Sequence, residues 1–327
     1  MQREFPSDNR STDQRHAAEA VAKLREQPFA QEIRVAMPLM ELTTFRIGGP
    51  AAALCPIQTP DDVLRFLDFA DSYELAVACI GGGSNILAND AGFHGLVLQP
   101  KVSEILWGKG TVTTGAGISF DDLIAATLAD GRPGLAFASG IPGSLGGAVV
   151  GNAGCYGHEI SEFVSRAVVL QRDGGIVTLG HEDLGFAYRT SILKGSDSIL
   201  LEVELRLDTA DTTAAVAERA DRLADRKQKH PVDIPCAGSY FQNLPPLNPG
   251  EHRRAAGALL DALGARHWRV GDAAIYEKHA NIIVNKGQAT CEDVLALARQ
   301  MCREVQLHHG VTLKEEVRYL GPSGFQP

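Results

Sequence analysis

Glycine placement constrains this chain more than any other feature of its sequence. Fourteen of its 34 glycines fall in three places: Gly48 and Gly49, Gly81 to Gly83, and nine between Gly131 and Gly157. Glycine loses more backbone freedom on folding than any other residue, so a packed core has no use for such density. Main chain that must press against a large flat or anionic ligand does. The run Gly81-Gly82-Gly83-Ser84-Asn85 follows an apolar stretch at 75–80, so N–H groups free of side-chain obstruction can surround a phosphate there. It matches neither GxGxxG nor the P-loop pattern, which removes those two readings and leaves a plain tight turn open beside the ligand loop. The denser stretch at 139–157 tips the balance toward a bound cofactor.

A length of 327 residues predicts about two domains. Lys and Arg number 31 against 40 Asp and Glu, a formal charge of −9, which argues against nucleic acid or an anionic membrane as partner. With 44% hydrophobic and 22% charged residues, the chain reads as a globular enzyme rather than a disordered or fibrous one. The first fifteen residues lack the apolar core of a secretory signal, and no stretch approaches a membrane span, so a cytoplasmic location is expected. The six scattered cysteines read as reduced thiols with packing roles, and no metal is expected from the ten histidines, which form no paired-ligand pattern.

Residues 1–14 are expected to be disordered, and 16–27 to form an amphipathic helix with Ala20, Val21 and Leu24 on one side. Thr59-Pro60-Asp61-Asp62 combines an N-cap, a proline at the first helical position and an acid at N3, predicting a helix that buries Val63, Phe66, Leu67 and Ala70. With a buried strand at 75–80, residues 52–98 read strand, helix, strand, glycine loop, strand. Ser119 caps a helix running to Gly131, and Arg172-Asp173-Gly174-Gly175 joins two strands as a hairpin. A half-exposed strand at 198–207 precedes a solvated helix at 208–230 and a proline-punctuated loop at 231–249. A helix at 255–263, a strand at 279–285 and a capped helix at 290–308 follow. The composition shifts near Thr209, where a domain boundary is expected.

Several separated segments then stand in a telling order. They are Thr44-Phe45-Arg46-Ile47-Gly48-Gly49-Pro50, the 81–85 loop, the glycine-rich stretch, Phe186-Ala187-Tyr188-Arg189-Thr190-Ser191, and Gly238-Ser239-Tyr240-Phe241. The tail adds His279-Ala280-Asn281-Ile282-Ile283-Val284-Asn285 and Glu315-Glu316-Val317-Arg318-Tyr319-Leu320-Gly321. From about residue 40 to 321 the chain resembles the UDP-N-acetylenolpyruvoylglucosamine reductase family. The resemblance implies an α+β fold: a partly disordered extension at 1–38, a two-part FAD-binding region of the vanillyl-alcohol-oxidase or PCMH type at 39–208, and a smaller α+β substrate-binding domain at 209–327. It implies non-covalent FAD reduced by NADPH. Hydride then passes from flavin N5 to the enolpyruvyl methylene of UDP-N-acetylglucosamine enolpyruvate, giving UDP-N-acetylmuramate for peptidoglycan. No obligate protein partner is implied. The short interval from Arg189 to Ser239 looks like the family's second type, without the extra tyrosine-bearing loop. A flavin oxidase or dehydrogenase of the same architecture, a paralogue with another substrate, and a non-catalytic flavoprotein stay open as alternatives.

The same likeness assigns site residues. Cofactor contacts fall to Arg46, Gly81, Gly82, Gly83, Ser84, Asn85, Gly140, Gly143, Ser144, Gly146, Gly147, Asn152 and Gly154. Tyr188, Lys229, Asn243 and Arg318 are the expected substrate contacts, with Lys227 and His230 as alternatives to Lys229 for a phosphate. Adding hydride to a vinyl ether conjugated with a carboxylate leaves negative charge on the α-carbon and the carboxylate oxygens, and a fixed cation stabilises that state more than the substrate. Arg189 stands at the family's position for this, and its planar fork suits a carboxylate. Ser239 stands at the proton-donor position; an enolic carbanion is basic enough to take a proton from a hydroxyl. Glu316 is the third member, and strand alternation puts it and Glu315 on opposite faces. Gln242, Lys314 and Ala136 depart from the family's usual residues, and Leu244 precedes the expected proline. Because the ligands are anions, the overall charge has to be reversed locally.

Overall fold

The structure, a computed structural model, describes residues 11–248 and 250–326. Helix α1 (Thr12–Leu24) opens with a capping box: the Ser11 hydroxyl accepts from the N–H of Gln14, whose side chain accepts from the N–H of Ser11. The expected disorder at 1–14 is thus corrected at 11–14, where a polar run hid a helix start; residues 1–10 lie outside the described residues. Strands β1 (Arg34–Pro38) and β2 (Pro50–Ile57), helix α2 (Pro60–Ser72), and strands β3 (Ala76–Cys79), β4 (Ile86–Ala88) and β5 (Phe93–Pro100) complete the first lobe. Its sheet runs β1-β2-β5-β3, with β5 parallel to both β2 and β3. Thr59 caps α2 as its sequence predicts, and α2 buries Val63, Phe66, Leu67 and Ala70 with α1 on one sheet face. Alternation in β5 gives Leu96 and Leu98 to that face, and Phe93 and Val97 to the other. Strand β1 lies inside the expected extension at 1–38 and forms the sheet's antiparallel edge.

The second lobe holds β6 (Ile105–Trp107), β7 (Thr111–Gly115), α3 (Phe120–Ala129), the short α4 (Leu145–Val150), and a small ribbon of β8 (Gly154–Cys155) and β9 (His158–Glu159). Then come β10 (Val164–Leu170), β11 (Ile176–Gly180), β12 (Ile199–Arg206) and α5 (Thr213–Lys229). Its antiparallel sheet is ordered β11-β10-β12-β7-β6. Helix α5 follows the boundary expected at 208, yet it packs on this lobe: Arg219 pairs both nitrogens with Asp121 at 2.7 and 2.8 Å, and Ala215 joins the lobe's core.

The third lobe is an antiparallel sheet ordered β13-β16-β15-β14, from β13 (Cys236–Ser239), β14 (Arg269–Val270), β15 (Ala273–Tyr276) and β16 (His279–Asn285). Helices α6 (Ala256–Ala262) and α7 (Cys291–His309) cover it, α7 burying Val294, Leu297, Met301 and Val305. The chain then returns to the first lobe. Strand β17 (Arg318–Gly321) pairs in parallel with β4, and β18 (Gly324–Phe325) pairs back on β17.

Candidate active site

A cleft of about 2480 Å³ opens where the three lobes meet. The 81–85 loop and the 140–147 segment form opposite walls so close that a Cβ on Gly82 would lie 2.6 Å from Gly143 Cα. Among the described residues, the N–H groups of Gly81, Gly82, Gly83 and Gly143 have no acceptor in the chain and remain available to a ligand's oxygens. The Ser84 hydroxyl ties the two walls by donating to the Pro142 carbonyl at 2.9 Å. Eight cationic and five anionic side chains line the cleft, which reverses the sign of the whole chain. The exposed Arg46 is one of these cations, and its φ of +53° turns it at the end of the 44–46 segment.

Arg189 sits at the tip of a tight turn in which the N–H groups of Ala187 and Thr190 each donate to the other's carbonyl at 3.0 Å. Its φ is +58°, a conformation costly for a bulky residue and maintained by what surrounds it. One guanidinium nitrogen donates to the Gly154 carbonyl at 2.7 Å. Nε lies 2.9 Å from Glu316 Oε1 and is itself buried, so that the pair is closed off from solvent at this nitrogen. Burial pushes the Glu316 carboxyl above its usual range, against the opposing pull of Arg189 and Lys194. Glu315 is the more exposed acid and lies near Arg299 of α7, but both acids line the cleft, because 315–316 precede β17 and do not alternate as a strand would. Ser239 reaches the same cleft from the end of β13. The carbonyl of its neighbour Tyr240 accepts the N–H of Glu316 at 2.8 Å, which places the serine and the acid on adjacent segments. Arg318 lies over the Phe325 ring at 3.9 Å, and burial lowers its pKa.

Among the expected cofactor and substrate residues, all line the cleft except Asn152 and Asn243. Asn152 is fully buried and corrects the ligand reading: its amide donates to Glu159 at 2.8 Å and to the Ala187 carbonyl at 3.0 Å, bracing the Arg189 turn. Asn243 is likewise a scaffold residue, its side-chain oxygen accepting from the Ala256 N–H at 3.3 Å at the start of α6. Tyr188 sits between two guanidinium groups, Arg253 at 3.7 Å and Arg189 at 5.2 Å from its ring centre. Lys229 is at the rim, its charge paired with Asp225 at 2.5 Å. Gly140 owes its glycine to packing as much as to a ligand: with φ of +75°, a Cβ there would meet Arg226 Cδ at 2.8 Å. Asn85 also has a second task, since its carbonyl accepts from Arg318 N–H and its side chain donates to the Glu316 carbonyl, both at 3.0 Å.

Sequence reasoning missed Lys194 and Arg226. Arg226 donates to the Ser139 carbonyl at 3.0 Å, seating α5 on the glycine-rich wall. Lys194 lines the cleft and donates to the Arg189 carbonyl at 2.9 Å. Only its spacing five residues after Arg189, in the turn that follows, was available as a signal.

A glycine-walled cleft with unpaired N–H groups, joined to an acid, an arginine and a serine, defines the class as a flavin-binding oxidoreductase. Residues 50–180 match the family model described as FAD binding domain, and 230–320 match UDP-N-acetylenolpyruvoylglucosamine reductase, C-terminal domain. UDP-N-acetylenolpyruvoylglucosamine reductase 2 of Symbiobacterium thermophilum is 38% identical over 90% of this chain and 94% of its own length. The reductase of Bacillus subtilis is 36% identical over 87% and 92%. The crystal structure of the enzyme from Thermus caldophilus superposes with a TM-score of 0.73 at 32% identity, covering 88% of this chain and 98% of that one. The chain belongs to the UDP-N-acetylenolpyruvoylglucosamine reductase family.

Proposed function

We propose that the protein reduces the enolpyruvyl ether of UDP-N-acetylglucosamine to UDP-N-acetylmuramate with NADPH, a step toward peptidoglycan, and that Arg189, Ser239 and Glu316 carry it. The observation that supports this most is the Arg189–Glu316 pair at 2.9 Å facing the same cleft as Ser239 and the glycine walls. The walls fit FAD, because the N–H groups of Gly81, Gly82, Gly83 and Gly143 await acceptors on segments that line the cleft. When bound there, FAD supplies the two-electron chemistry, hydride taken from NADPH and delivered to the vinyl methylene.

The chain's own residues do the rest. Arg189 lines the cleft and offers its guanidinium charge to the substrate carboxylate, so that negative charge developing on those oxygens meets a fixed cation. Ser239 gives its hydroxyl proton to the α-carbon, which completes addition of hydride and proton across the double bond. Glu316 orients Arg189 through their contact at 2.9 Å. Arg46, Arg318 and Lys229 supply positive charge for the diphosphates. Among the described residues no helix is long and apolar enough to cross a membrane, and we assign the reaction to the cytoplasm.

The purified protein is expected to be yellow. Anaerobic NADPH bleaches its flavin, and the enolpyruvyl sugar restores the colour faster than oxygen does. Flavin that NADPH bleaches but only oxygen restores would return the protein to the oxidase reading.

A further inference from the structure

Lys194 has no assigned part in the reaction, yet it occupies a singular place. Its half-buried ammonium donates to the main-chain carbonyl of Arg189 at 2.9 Å, on the residue whose φ is +58°. A left-handed backbone at a bulky residue persists only where neighbours over-determine it. Two of the neighbours are polar groups on that one turn: the Asn152 amide grips the Ala187 carbonyl at 3.0 Å, and Lys194 grips the carbonyl of Arg189 itself. With both in place, the guanidinium has one nitrogen on the Gly154 carbonyl and another against Glu316.

We infer that Lys194 is a positioning residue of the reaction: its ammonium latches the Arg189 backbone in the left-handed form and thereby keeps the guanidinium against Glu316. The inference rests on the roles proposed above for Arg189 and Glu316. The charged groups that face Glu316 are Arg189 and Lys194. Those that face Lys194 are Glu316, Arg318, Lys314 and Arg189. Burial lowers the Lys194 pKa and the three other cations lower it further, with Glu316 alone opposing them. The contact the ammonium makes is with the Arg189 carbonyl. Glu316 in turn would be harder to ionise once the latch is lost, because a guanidinium that swings away from a carboxylate no longer favours its charged form.

The test uses the oxidised flavoprotein without substrate, so that it does not depend on which enol ether is reduced. The carboxyl of Glu316, labelled with carbon-13 and assigned by its loss in Glu316→Gln, is titrated by NMR in the native protein, Lys194→Met and Lys194→Arg. The expected result is an upward displacement of the Glu316 midpoint in Lys194→Met and its return toward the native value in Lys194→Arg. A parallel stopped-flow measurement should show re-oxidation by the enolpyruvyl sugar slowed on the order of tenfold or more in Lys194→Met, as a displaced catalytic group would. An unmoved midpoint in yellow, folded Lys194→Met protein overturns the inference, even if turnover falls. Should that variant fold poorly, Lys194→Gln is read by the same two criteria. Native protein whose flavin the enol ether does not re-oxidise would refute the proposed function while leaving the titration to decide the role of Lys194.

Discussion

An alcohol protonates carbon only when the carbon is strongly basic and the hydroxyl is held against it. In the reaction proposed above, Ser239 has work in one half of the cycle alone: flavin reduction by NADPH calls for no proton from it, whereas completion of the vinyl ether's reduction does. Ser239→Ala should leave bleaching by NADPH near the native rate and slow re-oxidation by substrate about 10³-fold, within the usual range for a general acid. Equal losses in the two half-reactions, measured by stopped flow, would assign Ser239 to binding instead. Glu316 yields a second expectation at this scale. Its folded pKa is raised, so the stability it contributes is complete below its unfolded pKa and is lost as pH rises through the folded one. Glu316→Gln removes that loss, and its melting temperature should gain on the native protein's between acid and neutral pH, whatever the offset from unpairing Arg189. A gap that moves the other way would mean that the pair with Arg189 outweighs burial.

At the scale of elements, legibility followed the distance over which a signal acts. The caps of α2 and α7 lie within three residues of the groups they satisfy, so Thr59 and Thr290 announced both helices. The glycine walls were legible for a related reason, since a density of glycine marks main chain that must come close to something. What the sequence did not disclose is which neighbour each residue serves. Asn152 sits among glycines and looked like a ligand, yet both donors of its amide are spent on Glu159 and Ala187. The grip of Asn85 on the Glu316 carbonyl spans 231 residues, and no local pattern encodes such a contact. Lys194 escaped notice because a lone lysine in a turn carries no signal until Arg189 is seen beside it. The wall contact gives a direct test. Gly82→Val puts a branched side chain where a Cβ alone would be 2.6 Å from the main chain of Gly143. The variant should keep native circular dichroism but purify colourless; protein that retains full flavin would show that the walls are not the cradle.

Over the whole molecule, the C-terminal strand binds the site to the fold. β17 crosses back from the third lobe to pair with β4, and β4 begins immediately after the 81–85 loop. Leu320, on β17, is fully buried in the first lobe's core among Met37, Leu39, Ile86 and Phe93. Asn85 bonds to Arg318 and Glu316 on the same returning segment. The returning segment thus anchors the 81–85 loop and carries Glu316, the acid proposed for the reaction, an arrangement that predicts coupling of flavin retention to the packing of residues far from the cleft. Leu320→Ala deletes buried methyl groups at a site walled by sheet, at a cost of roughly 2–5 kcal/mol. If β17 is the coupling element, that loss should appear twice: in a lower midpoint of global unfolding followed by circular dichroism, and in a matching fall of the temperature at which flavin fluorescence is released. An equally destabilising substitution remote from the cleft, such as Met301→Ala in the core of α7, should lower the unfolding midpoint with flavin release preceding it by no more than in the native protein. Early flavin release in Leu320→Ala alone places the weak point at the β4–β17 seam; identical behaviour of the two variants would mean that the cleft feels only overall stability.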